Sequence, residues 1–348
     1  MLVDLGAPNL MDDTRSITSH DVANLAGVSQ ATVSRAFMPN GRISAKTKQK
    51  VIEAAEKLGY QPNVIARSLA KSKSNLIGVL MANWNNPRLT ETLQGFSSAF
   101  KQSGYKVILQ SISSGEVVDD VLRDFLQYQV DGLIVISAVP GPGISAFCSQ
   151  KNIPIVVVNR IARGINVCSV TLDGTQAGRT IATDLLRRGY RSFALLRGSP
   201  DIQVITDLFR TFSNTVSDSG LREQVNELTN VSGYSDGRKT IVELAQKDQL
   251  PDAFVCSSDF TAFGVQAGAR YDLSIDVPED LGIVGIGDSP FSWWPEHDLT
   301  TLQFPVDEMV SNSVDSVLNR IQEPTLEAKA IIGLDSPLVT RGTTRKTR

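Results

Sequence analysis

Two textures of apolar spacing divide the chain. Within ITSHDVANLAGVSQATVSRAFMP (17–39), Val22, Leu25 and Ala26 fall on one face of a predicted helix. Val33 and Phe37 do the same on a second helix, expected from Gln30 to about Met38, and Gly27 supplies the tight turn between the two. Thr18 and Asp21 have capping-box spacing, although Asp stands where Glu or Gln is usual, and Ser29 caps the second helix. A third helix is predicted after Ser44 through AKTKQKVIEAAEKL, with Val51, Ile52, Ala55 and Leu58 inward and Gly59 as its left-handed stop. After the break at Tyr60-Gln-Pro-Asn63 comes VIARSLAKSKS, helical in character but too short to hold itself as a helix.

From Leu76 onward, short continuous apolar runs alternate with amphipathic stretches. LIGVLMA, VILQSI, DGLIVIS and IPIVVVN form one round, and after TQAGRTIATDLLRRGY come FALLRG, AFVCSSD and LGIVGIGD. Such runs, separated by helical segments, predict buried parallel strands with crossover helices. The predicted class is α/β: a three-helix headpiece and hinge helix, then two Rossmann-like lobes. A cleft between the lobes, at the carboxyl ends of the strands, is where a small ligand is expected. The expected division is a disordered extension over 1–13, headpiece 14–61, hinge 62–74 and body 75–348. The first lobe is placed at about 75–188 plus 304–333, and the second at about 189–303 plus 334–343.

The first two helices have helix-turn-helix dimensions, and Gln30, Ala31, Ser34 and Arg35 point outward from the second. Such a helix can enter a major groove with its N-terminal side chains at base edges; the alternative is a small hairpin that only packs. Charge changes that balance. Residues 14–73 hold ten Lys and Arg against three acids, a surplus of seven, so in a chain of net −3 the rest carries −10. A basic module on an acidic body suits a phosphate backbone, whose counterions it releases on binding.

Composition excludes several classes. With 348 residues, 41% hydrophobic and 20% charged, the chain reads as a soluble globular protein of two or three domains. No apolar run approaches the roughly 18 residues of a membrane span. The N-terminus lacks the basic segment of a secretory signal, so a cytoplasmic location is expected. Cys148, Cys168 and Cys256 are few and scattered, which predicts neither disulfide nor zinc framework. Gly233-Tyr-Ser-Asp-Gly237 matches G-x-S-x-G and His297 follows it, but LTNVSG is a poor elbow strand, and Ser235 is read as a helix cap. Pro142 spoils Gly141-Pro-Gly143 as a phosphate loop by removing an amide. No enzyme activity, cofactor or metal is expected.

DVANLAGVSQATVSRAF (21–37), ISAKTKQKVIEAAEKLGYQPN (43–63), ARSLA (66–70) with IGVL (77–80), and VPEDLGIVGIGD with the later LTT resemble the lac-repressor/galactose-repressor family of bacterial transcription regulators. The body resembles periplasmic sugar-binding proteins. The resemblance implies that Gln30 and Ala31 choose half-site bases and that Arg35 reads a guanine. Thr18, Thr32, Ser34 and Asn63 match phosphate-holding positions, while Thr18, Ser29 and Thr32 can also cap. Ala66 and Leu69 match a hinge helix that wedges into the minor groove. Partners implied are a pseudo-palindromic double-stranded operator, a second copy of the chain, and a small effector, a sugar or related metabolite.

For the effector, the resemblance points to Trp84, Asn86, Arg88 and Leu89 after the first strand, and to Asn159 and Arg160 where an Asp-Arg pair is common. It adds Asp173, Ser258, Asp259, Phe260, Asp288 and Trp294. Leu208 stands where many members carry an arginine. Simple packing is the alternative for any one of these, including Trp293 and Trp294. A cytoplasmic carbohydrate sensor whose headpiece meets a protein is the alternative function.

Overall fold

Eight small apolar side chains form the buried centre of the N-terminal helices: Val22, Ala23, Ala26, Val33, Ala36, Val51, Ala54 and Ala55. They come from α1 (Ser19–Ala26), α2 (Gln30–Ala36) and α3 (Ala45–Leu58). The computed structural model describes residues 17–38, 41–61, 73–82, 87–113, 116–162, 167–199, 201–221, 224–327 and 329–347, and divides the chain into units 1–74 and 75–348. Leu25 departs from expectation: it is 52% exposed, and Ala23 is buried in its place. The inward arc of α1 is centred on Val22 and Ala26 and leans toward Ala23, so Leu25 lies on the opposite flank. On α3, Ala54 joins Val51 and Ala55 in the core while Ile52 and Leu58 are only half-buried. Helix α2 stops at Ala36, and Phe37, just beyond it, packs against Tyr60 with ring centroids 6.1 Å apart.

The second unit holds two six-stranded sheets. The first takes β1 (Leu76–Met81), β2 (Lys106–Ser111), β3 (Gly132–Ile136), β4 (Ile155–Val158), β5 (Val167–Leu172) and β11 (Ile331–Leu334), in the order β11-β5-β4-β3-β1-β2. The second takes β6 (Phe193–Leu196), β7 (Val225–Leu228), β8 (Ala253–Cys256), β9 (Gly282–Gly287), β10 (Thr300–Gln303) and β12 (Leu338–Val339), ordered β12-β10-β9-β8-β6-β7. Pairing is parallel throughout except for β12, which runs antiparallel to β10. Helices α4 (Pro87–Gln102), α5 (Val118–Gln127) and α6 (Pro142–Gln150) connect the first sheet. Helices α7 (Gly174–Arg187), α8 (Gln203–Asp218), α9 (Gly233–Gln246) and α10 (Asp259–Ala267) belong to the second round, and α11 (Val306–Gln322) follows β10.

The division between lobes differs from the expected one. Ala177, Ile181, Ala182 and Leu185 of α7 pack with Phe193, Phe209 and Phe212, in the second lobe's core rather than the first. Two glycines explain this placement: a Cβ at Gly178 would stand 2.1 Å from the Leu208 carbonyl oxygen, and one at Gly174 2.3 Å from that of Val204. The backbones of α7 and α8 are therefore pressed together, and the chain changes lobe at Asp173. It crosses back into the first lobe at α11, whose Met309, Val310, Val314 and Val317 join the core of β1, β3 and β5. Strand β11 then pairs with β5 through Leu334, one residue beyond the expected limit, before β12 returns to the second sheet.

Candidate nucleic-acid interface and effector cleft

The helix-turn-helix is pinned by short-range hydrogen bonds. Asp21 accepts from both the amide (2.8 Å) and the hydroxyl (2.7 Å) of Thr18, which fixes the start of α1. Gly27, at φ 61°, ends α1 in the left-handed region that glycine tolerates. Ser29 accepts from the Thr32 amide at 3.2 Å and shares a 2.9 Å hydrogen bond with the Thr32 hydroxyl. Ser44 and Thr47 repeat this arrangement at the start of α3. One bond links the two helix starts: the Gln30 amide nitrogen donates to the Ser19 hydroxyl at 2.9 Å. Gln30 keeps its carbonyl oxygen and one N–H free, the pair that adenine N6 and N7 require. Ala31, Ser34 and Arg35 are exposed beside it. Among the described residues, Arg35, Arg42, Lys46, Lys48, Lys50 and Lys57 are exposed and none forms an ion pair.

In the body, the carboxyl ends of both sheets carry several of the remaining candidates. On the first, Asn159 follows β4 at φ 66° and its carbonyl accepts from Arg160 Nη1 at 2.8 Å. Burial pushes the Arg160 pKa below its ordinary value. Arg88, in the first turn of α4, is paired with Glu91 at 2.6 Å. Asp173 caps α7 by accepting from the Gln176 amide at 3.0 Å. On the second sheet, Arg197 ends β6, donates to Thr206 at 3.1 Å, lies 3.1 Å from Glu227 and sits over the Phe209 ring.

Ser258 caps α10 by accepting from the Thr261 amide at 3.3 Å. Its neighbour Asp259 is enclosed and accepts from the Ser289 amide (2.6 Å), the Ser292 hydroxyl (2.9 Å) and the Thr301 hydroxyl (2.6 Å). Burial raises the Asp259 pKa, and these donors oppose the rise. Asp288 is held by Arg341 at 2.7 Å. Phe260, Phe291 and Trp294 form an aromatic run, with edge-on centroid distances of 6.1 and 4.8 Å.

The arrangement thus joins a basic headpiece, whose second helix presents Gln30 and Arg35, to a two-lobed body with polar groups and aromatics at its strand ends. Residues 18–63 match the sequence profile of the bacterial regulatory proteins of the lacI family, and residues 182–344 match the periplasmic binding protein-like domain. The chain carries a lacI-family DNA-binding domain followed by a periplasmic binding protein-like domain. It is a DNA-binding transcriptional regulator. Catabolite control protein A of Staphylococcus aureus is 29% identical over 336 residues, covering 95% of this chain and all of that protein. Its namesake in Priestia megaterium is 27% identical, over 91% of this chain and 96% of its own length. Among solved structures, the lac repressor dimer bound to operator and the anti-inducer ONPF superposes with a TM-score of 0.83 at 24% identity, covering 95% of this chain and 100% of that one. The CelR–cellobiose complex superposes with a TM-score of 0.68 at 23% identity, over 94% and 99% of the two chains.

Within this lacI-family frame the sequence candidates separate into groups. Thr18, Ser29, Gln30, Ala31, Thr32, Ser34 and Arg35 all lie on or beside α1 and α2. The hydroxyl of Thr18 already donates to Asp21, so a phosphate contact there requires it to release that bond. Asn63, Ala66 and Leu69, with Trp84 and Asn86, lie outside the described residues, as does the side chain of Leu89.

Leu208 is a correction. It has no exposed surface and packs in the second lobe's core against α7, so it offers nothing to a ligand. Asp259 is a second, because its oxygens are spent on tying the 289–292 loop and β10 to α10. Asp288 is held by Arg341 through one oxygen and stays a candidate for the effector. The helix-cap role expected of Ser235 is also corrected: α9 begins at Gly233 with Ser232 before it. Sequence reasoning missed Ser19, Arg197 and Arg341. Ser19 and Arg197 stand inside the ITSHDVANLAG and FALLRG segments without a pattern of their own, and Arg341 finds its partner 53 residues away.

Proposed function

We propose that this lacI-family regulator is a repressor that binds a pseudo-palindromic operator as a homodimer, with a sugar or related metabolite between the lobes controlling the grip. The observation that carries the reading is the second helix, which presents Gln30 and Arg35 outward in a headpiece whose exposed cations have no ion-pair partners among the described residues. A two-fold protein reads a two-fold site, and the lac repressor structure it resembles is a dimer on its operator. Ala66 and Leu69 are assigned to a hinge that folds on DNA and opens a central base step. A sugar is supported by the cellobiose complex among its structural relatives. DNA as target sets the work in the cytoplasm, and no helix among the described residues is long and apolar enough to cross a membrane.

No catalytic step belongs to this reading. Ser235 is exposed on the first turn of α9, and His297 instead stacks on Phe263 at 3.9 Å and meets Gln266 at 3.1 Å. Among the described residues no group of three His, Cys, Asp or Glu side chains could hold a metal.

The test is operator binding by Arg35→Ala, followed by fluorescence anisotropy against a set of single-base variants. A loss of about 1–3 kcal/mol confined to one base pair per half-site is expected of a bidentate base contact. A uniform loss over all sequences would instead make Arg35 a phosphate contact.

A further inference from the structure

Arginines near the carboxyl ends of the two sheets are, with one exception, matched by carboxylates. Arg88 has Glu91 at 2.6 Å, Arg197 has Glu227 at 3.1 Å and Arg341 has Asp288 at 2.7 Å. Arg160 has none among the described residues; its hydrogen bond goes to the carbonyl of Asn159, its own neighbour in sequence. The residue beside it, Asn159, is a neutral amide and supplies no counter-charge. A guanidinium does not shed its proton at accessible pH, so the charge stays where burial disfavours it. An uncompensated, partly desolvated cation is costly unless something of opposite sign completes it.

Position gives that cost a meaning. Arg160 lies just past the carboxyl end of β4, on the edge of an open parallel sheet where ligands settle. Other acids of the strand ends are not free to serve it. Both oxygens of Asp259 are taken by three donors, and Asp288 belongs to Arg341. Asp173, just past β5, caps α7 and forms no ion pair with Arg160.

We infer that the effector of this cleft carries an anionic group, a phosphoryl or a carboxylate, that pairs with Arg160. The inference rests on the reading above that the cleft takes an effector, and it narrows the class from neutral sugars to acidic or phosphorylated metabolites. The aromatic run Phe260–Phe291–Trp294 on the second lobe would suit an apolar or ring portion of the same molecule.

The experiment uses the full-length protein and three salts at equal ionic strength: sodium chloride, sodium phosphate and sodium acetate. Wild type, Arg160→Gln and the surface control Arg187→Gln are melted in each. Phosphate, acetate or both should raise the wild-type midpoint over chloride by about 2 °C or more. The increment should vanish in Arg160→Gln and persist in Arg187→Gln. Phosphate alone acting points to a phosphoryl ligand, and acetate alone to a carboxylate.

A second readout needs no ligand: in chloride, Arg160→Met should melt no lower than wild type, because it removes an unmatched charge. The inference is overturned if no anion acts, if the increment survives in Arg160→Gln, or if Arg160→Met melts well below wild type. A neutral sugar that releases operator equally from wild type and Arg160→Gln overturns it while sparing the effector reading. Operator binding that answers to no metabolite at all would instead sink that reading.

Discussion

The headpiece and the body treat charge and bulk in opposite ways. The headpiece closes over alanines and valines and leaves its cations bare. The body fills its lobes with Phe, Leu, Ile and Tyr, and sets a carboxylate against Arg88, Arg188, Arg197 and Arg341 as they go under cover. A surface cation costs little to leave unpaired in water, whereas a covered one is expensive. Unpaired charge therefore means different things in the two regions. On the headpiece it is an electrostatic footprint for a polyanion, and at the strand ends of the body Arg160, with no carboxylate among the described residues, stands out against Arg88 and Arg197.

The largest expected effect tests the packing side of this contrast. Phe212, on α8 where it is close-set against α7, is fully buried and meets Phe193 edge-on at 5.3 Å. Phe212→Ala should cost the body about 3–5 kcal/mol, read as a lower urea midpoint for the fluorescence of Trp293 and Trp294. At temperatures where the body remains folded, the base preference of the headpiece should not change. A variant that altered both would show that the two regions do not divide the work as their cores suggest.

What could be read from the sequence follows the range of the interactions. Caps at Thr18, Ser29 and Ser44 and stops at Gly27 and Gly59 act over a few residues, so the headpiece was legible almost to its ends. The strand rhythm likewise gave two parallel-sheet lobes. Leu25 was misplaced because helical periodicity defines an arc, and only tertiary packing decides which flank of it is covered. The lobe membership of α7 depends on Gly174 and Gly178 meeting the α8 backbone, a contact that no local pattern encodes. Site residues failed for the same reason. Leu208 is a ligand position by resemblance and a core residue by packing, and Asp259 finds its partners 30 to 42 residues away only once the second lobe is assembled.

Among smaller effects, the body carries a titration worth following. Burial holds the His297 pKa below its ordinary 6.5, with the ring packed on Phe263. The folded state therefore favours neutral imidazole, and the unfolded chain takes up the proton first as pH falls. Stability from this group is complete above the unfolded pKa and declines as pH drops through about 6.5 toward the folded value. His297→Gln should flatten that part of the urea midpoint against pH between pH 7.5 and about 5.5. An unchanged slope would place the titration elsewhere.

The finest test returns to the headpiece, where the expected effect is on specificity more than on affinity. Ser19 touches Gln30 through one exposed hydrogen bond, and such a bond contributes about 0.5–1.5 kcal/mol at most. Its use is to hold the Gln30 amide in one orientation, with carbonyl oxygen and second N–H outward as an adenine requires. Ser19→Ala frees the amide to rotate or to flip. Discrimination at the base pair opposite Gln30 should then fall several-fold, while contacts made by Arg35 and the salt dependence of binding stay as they were. Ser19→Thr keeps the hydroxyl and should restore the preference. If Ser19→Ala instead weakens binding equally on every sequence, the serine is a phosphate ligand or a cap, and Gln30 reads its base unaided.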